Sequence, residues 1–63
     1  MKNEYFQVMN GFKQVSFWNE VGPLHETNED AIDWLLYVVE MLKIRRKWVA
    51  PDYKIVLVKK SWR

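Results

Sequence analysis

Aromatic and β-branched side chains crowd two stretches near the start of the chain, Tyr5 to Met9 and Phe12 to Trp18, on either side of Asn10-Gly11. Apolar positions recurring at period two mark half-buried strands, and Asn-Gly is the pair best able to take the positive φ angles of a two-residue turn. The pattern predicts a hairpin in which Met9 opposes Phe12, Gln7 opposes Gln14 and Tyr5 opposes Ser16. One face then carries Phe6, Val8, Val15 and Phe17. The other carries Tyr5, Met9, Phe12 and Trp18 diluted by Gln7, Gln14 and Ser16, an aromatic surface open to binding unless the register differs or a loop covers it.

Asn19 to Pro23 reads as irregular, because Gly22-Pro23 interrupts any regular ladder. Thr27 is placed to cap a helix, with Asp30 three residues on and Glu26, Glu29 and Asp33 supplying negative charge at its positive pole. The helix is expected from Asn28 to Arg46, where Lys43, Arg45, Arg46 and Lys47 complement the other pole. Pro51 prevents its continuation. Tyr53 to Lys59 is a β-branched run, apolar on both sides, and predicts a third strand. A right-handed crossover lays that strand beside the first and antiparallel to it. The expectation is one α+β domain over residues 1–63, of ββαβ order, with a three-stranded antiparallel sheet in the order 2-1-3 and one helix across one face.

The helix is wider in its apolar sector than one sheet face requires. At one hundred degrees per residue, Ala31, Leu35, Val38, Val39 and Leu42 form a central stripe, with Ile32 and Leu36 on one flank and Trp34 and Met41 on the other. Tyr37 and Ile44 extend the second flank, and the polar arc shrinks to Asp33, Glu40, Lys43 and Lys47. A chain of 63 residues has no second layer to bury the surplus. Trp34, Tyr37, Met41 and Ile44 are therefore expected to form a protein interface, with a second copy or a different protein, unless the connections Asn19 to Glu26 and Lys47 to Asp52, with Trp48 and Leu24, fold over this flank. Tyr5, Met9, Phe12 and Trp18 on the open sheet face are the alternative surface.

Composition narrows the chemistry. The chain has no cysteine, one histidine (His25) and two glycines. Disulfides are excluded, and the paired His or Cys spacing of a zinc site is absent. No nucleophile and base stand in a recognisable constellation, no Gly-rich phosphate cradle is present, and His25 reads as a solvent-facing loop residue. The expectation is a non-enzymatic protein without cofactor, metal or small-molecule substrate. No apolar run follows Lys2 and no stretch reaches membrane-spanning length, so the expected location is cytoplasmic and no membrane partner is expected.

Charge adds a second reading. Residues 1–33 hold two basic and six acidic groups, whereas residues 34–63 hold eight basic and two acidic. Lys43, Arg45, Arg46, Lys47 and Lys54 could line a phosphate-binding edge, with Lys59, Lys60 and Arg63 as a tail and Trp48, Tyr53 or Trp62 as stacking surfaces. Nucleic-acid binding by this basic half is the alternative to protein binding.

The order of elements, with the hairpin at Glu4 to Trp18, the acid-capped helix at Thr27 to Arg46 and the last strand at Tyr53 to Lys60, resembles the small phage-encoded inhibitors of host RNA polymerase. The resemblance is one of topology. It implies a class of function: a small protein in the host cytoplasm that binds and modulates a larger host machine, anti-defence roles included.

Overall fold

A computed structural model describes residues 3–60. Its elements are β1 (Glu4–Phe12), a short 3-10 turn (Lys13–Val15), β2 (Phe17–His25), α1 (Asn28–Ile44) and β3 (Asp52–Lys59). The strands form one antiparallel sheet in the order β2-β1-β3, the topology expected from the pattern. Trp62 and Arg63, named above for stacking and for the basic tail, lie outside the described residues.

The hairpin does not turn at Asn10-Gly11. Both residues lie inside β1, where Gly11 opposes Trp18 on one side and Asp52 on the other, and the ladder runs on to Phe12 opposite Phe17. The chain reverses through Lys13–Ser16, with Ser16 left-handed at φ 52° and its N–H donating to the Lys13 carbonyl at 3.2 Å. The Lys13 N–H donates to the Asp52 carboxylate at 2.8 Å, which ties the turn to the start of β3. Gly11 is needed for close approach: a Cβ there would stand 1.8 Å from the Phe17 carbonyl oxygen. A turn at Asn10-Gly11 would have ended β1 at Met9 and forfeited its last pairs with β3, so the tertiary ladder outweighs the local turn preference.

β2 likewise runs through the segment expected to be irregular. Phe6 opposes His25 while Val8 opposes Val21, so four residues of β2 span two of β1 and Gly22 to Leu24 form a bulge. Gly22 takes φ 79° within it. Pro23 is tolerated because β2 is an edge strand whose outer side needs no donor.

The helix begins as expected. Thr27 is extended and its Oγ1 accepts from the Asp30 N–H at 3.1 Å. It ends two residues earlier than expected, at Ile44. Arg46 turns left-handed at φ 54°, its N–H donates to the Lys43 carbonyl, and the Lys47 N–H donates to that of Leu42 at 2.8 Å. That pair of bonds is a Schellman closure, with arginine where glycine is usual.

Trp34 fixes which sheet face the helix covers. Its indole N–H donates to the Val21 carbonyl at 3.1 Å, and its ring lies 5.9 Å from the ring of His25, which shares a face with Phe6 and Val8. Val8 and Ala31 are fully buried between the layers, and Ala50 from the α1–β3 connection is nearly so. The helix follows β2 after two residues and is joined to β3 through residues 45–51. On that face Phe17, at the start of β2, and Leu57, near the end of β3, are exposed.

The other sheet face, carrying Tyr5, Gln7, Met9, Trp18, Lys54, Val56 and Val58, has no described helix or strand against it. Gln7 is buried there all the same, because the bulge brings the Gly22 carbonyl within 3.0 Å of its Nε2, which donates to it.

Candidate protein interface

Few hydrophobic side chains are fully buried and many large ones are not. Among the described residues the buried hydrophobic set is Val8, Ala31 and Ala50, whereas Phe12, Val15, Phe17, Ile32, Leu36, Tyr37, Ile44, Trp48 and Leu57 are all exposed. Of these, Phe12, Phe17 and Leu57 lie on the helix-side face of the sheet, Ile32, Leu36, Tyr37 and Ile44 on the helix itself, and Val15 and Trp48 in the connections.

One bare corner lies at the start of β2. Phe17 is 51% exposed and sits opposite Phe12, whose ring meets that of Trp48 at 5.6 Å. Trp48 itself is 64% exposed. The helix flank turned toward β2 carries Tyr37, at 56% exposure, and Ile44, at 68%. Beside them, the last turn and its closure supply Arg45, Arg46 and Lys47, all exposed. Phe12, Lys13, Gln14, Pro51 and Asp52 line a shallow depression of about 380 Å³ at the same end of the sheet.

The helix residues expected to form an interface divide. Tyr37 and Ile44 face outward, but Trp34 and Met41 are half-buried, and the Trp34 hydrogen bond and ring contacts make it an anchor between the layers. Tyr37 rests on it, ring to ring at 5.6 Å.

The sheet residues divide as well. Tyr5, Met9 and Trp18 share the uncovered face and are half-buried, with the Lys54 ammonium 4.2 Å above the Trp18 ring. Phe12 belongs to the helix-side face: the displaced turn keeps it in β1, in phase with Val8. Val15, expected on the face of Val8, lies in the turn and is exposed. Phe17 was not expected at an interface, and Trp48 was expected at one only as a stacking surface for nucleic acid. The signal that could have found them is the length of the hairpin, since only a turn beyond Phe12 carries the Phe12–Phe17 pair to the corner.

The basic residues occupy three places. Arg45, Arg46 and Lys47 adjoin Trp48, Lys54 stands on Trp18 on the other face, and Lys59 and Lys60 lie at the far end of β3, about 17 Å from Lys54 at strand spacing. His25, expected to face solvent from a loop, ends β2, and its Nε2 is buried with no protein partner. Among the described residues no three His, Asp or Glu side chains gather as metal ligands, and no helix is long and apolar enough to cross a membrane.

No protein-family model, no curated protein and no solved structure matches this chain.

Proposed function

We propose that this is a non-enzymatic binding module that acts by seating the aromatic corner Phe12, Phe17, Tyr37, Ile44 and Trp48 against another protein. The observation that carries the reading is that each of these five large side chains is exposed, with Phe12 against both Phe17 and Trp48, while among the described residues the buried hydrophobic set holds one valine and two alanines. Aromatic side chains at the centre of a patch with arginine beside them are the composition of binding hot spots. Arg45, Arg46 and Lys47 form a cationic rim, which suits a target whose apolar contact surface is bordered by carboxylates. Occupying such a surface on a larger machine is a means of modulating or inhibiting it, the class of action implied by the resemblance to small phage proteins.

The nucleic-acid reading draws less support. Its cations are split between the two sheet faces and the two ends of β3, and the helix dipole and its closure already account for those at the end of α1.

Site-specific photo-crosslinking tests the proposal. A benzoylphenylalanine at position 44 or 17, introduced in cells, is expected to capture a discrete protein, while the same probe at Glu29 or Asp33 on the polar arc captures none. Charge reversal at Arg45 and Arg46 is expected to slow that capture and to remove its dependence on salt. Equal labelling at all four positions, or capture of nucleic acid in place of protein, contradicts the reading.

A further inference from the structure

We infer that the chain pairs with a second copy of itself along the outer edge of β3, in an antiparallel register centred on Val56. The inference rests on the reading of the protein as a protein-binding module and gives its second bare corner a partner.

The two edges of the sheet are unequal. β2 is blunted by the Gly22 to Leu24 bulge and by Pro23, devices that keep an edge from pairing. β3 has neither, and its ladder to β1 is continuous from Asp52 to Lys59. The Lys60 N–H donates to the Asn3 carbonyl at 2.7 Å, so the main chain of Lys60 faces β1. By alternation Lys54, Val56 and Val58 face inward as well, while Tyr53, Ile55, Leu57 and Lys59 turn N–H and C=O outward. No described strand meets them.

The neighbouring side chains are apolar. Trp34 places its own flank of the helix over β2, so Ile32 and Leu36 lie on the flank turned toward β3, 40% and 60% exposed, and Leu57 on the same sheet face is 50% exposed. Pairing two β3 strands sets the two β1 strands three ladder spacings apart, about 14 Å. Ile32, Leu36 and Leu57 of both copies fill the strip between the helices.

Charge selects the partner and the register. A two-fold pairing opposes residues of the same face, so the axis must pass through a residue position. Centred on Leu57, it would oppose Lys54 to Lys60 twice, a like-charge contact. Centred on Ile55, it would set Asp52 against Val58 and Lys59 against Pro51, which has no N–H to give. Centred on Val56, it opposes Asp52 to Lys60 twice, and Ile55 with Leu57 and Tyr53 with Lys59 use every outward main-chain group. Asp52 accepts the Lys13 N–H through Oδ2 and keeps Oδ1 for the lysine of the second copy.

The sequence holds no cysteine, so single thiols report cleanly. Val56 meets its own copy as a non-hydrogen-bonded pair with Cα atoms about 4.5 Å apart, within disulfide range. The thiols of Val58→Cys would lie about 13 Å apart along the strands. Under mild oxidation of the whole chain, Val56→Cys is expected to yield roughly tenfold more linked dimer than Val58→Cys or Val15→Cys. Light scattering on the unmodified chain is expected to give twice the monomer mass. Asp52→Lys is expected to lower that mass on dilution, and Asp52→Lys with Lys60→Asp to restore it.

Equal yields at positions 56, 58 and 15, or a monomer at every concentration, overturns the inference. A crosslink from position 44 to another protein without a disulfide at position 56 removes the dimer and keeps the binding module. A disulfide at position 56 with no capture at positions 44 and 17 does the reverse.

Discussion

The indole of Trp34 occupies the space that a side chain at residue 22 would need. A Cβ built on Gly22 would stand 2.3 Å from Trp34 Nε1, and Gly22 also holds φ at 79°. Glycine is required there twice over, once by the backbone and once by the ring. Gly22→Ala is expected to cost about 2 kcal/mol or more in urea unfolding, from the left-handed penalty and the displaced indole together. Combining it with Trp34→Leu is expected to recover about 1 kcal/mol of coupling in a double-mutant cycle. Strictly additive losses would mean that the ring and the bulge do not meet.

Thr27 closes the start of the helix through one hydrogen bond to the Asp30 N–H. Thr27→Ala is expected to lower stability by about 1 kcal/mol, and Thr27→Ser to retain most of it. Thermal or urea unfolding reads both.

Arg46 ends the helix in a conformation that costs a side chain about 1 kcal/mol, and its φ is 54°. Arg46→Gly is expected to raise stability by somewhat less than about 1 kcal/mol, since glycine also gains freedom in the unfolded chain. A loss of stability would mean that the arginine side chain holds a contact worth more than the strain.

The hydroxyl of Tyr53 is buried without a protein hydrogen-bond partner. Removing an unsatisfied buried group is neutral or favourable, so Tyr53→Phe is expected to leave stability unchanged or raise it by up to about 1 kcal/mol. A clear loss on unfolding would show that the hydroxyl is bonded in solution.

The topology was legible because it rests on periodicity. The alternation of Tyr53 to Lys59 and the stripe from Ala31 to Leu42 each name one element, and Thr27 marks the helix start with a side chain that can do little else. The turn was misplaced because Asn10-Gly11 satisfies a local rule, whereas the actual reversal at Lys13–Ser16 is set by pairing with β3 and by the Asp52 carboxylate. That displacement carried over to the site. It moved Phe12 to the other face and brought the Phe12–Phe17 pair, with Trp48, to a corner the helix does not reach. The surplus width of the helix was visible in the sequence, but which flank anchors and which remains bare depends on Trp34 docking against the Gly22 bulge. No periodicity encodes that contact.

Equilibrium unfolding of Ile44→Gln, with Val8→Ala as the buried control, tests most directly whether the bare corner is surface and not core. Ile44 is 68% exposed and Val8 is fully buried. The expected result is a change within about 0.5 kcal/mol for Ile44→Gln and a loss of about 2 kcal/mol for Val8→Ala. A loss at Ile44 as large as that at Val8 would place the corner inside the folded core and contradict the account.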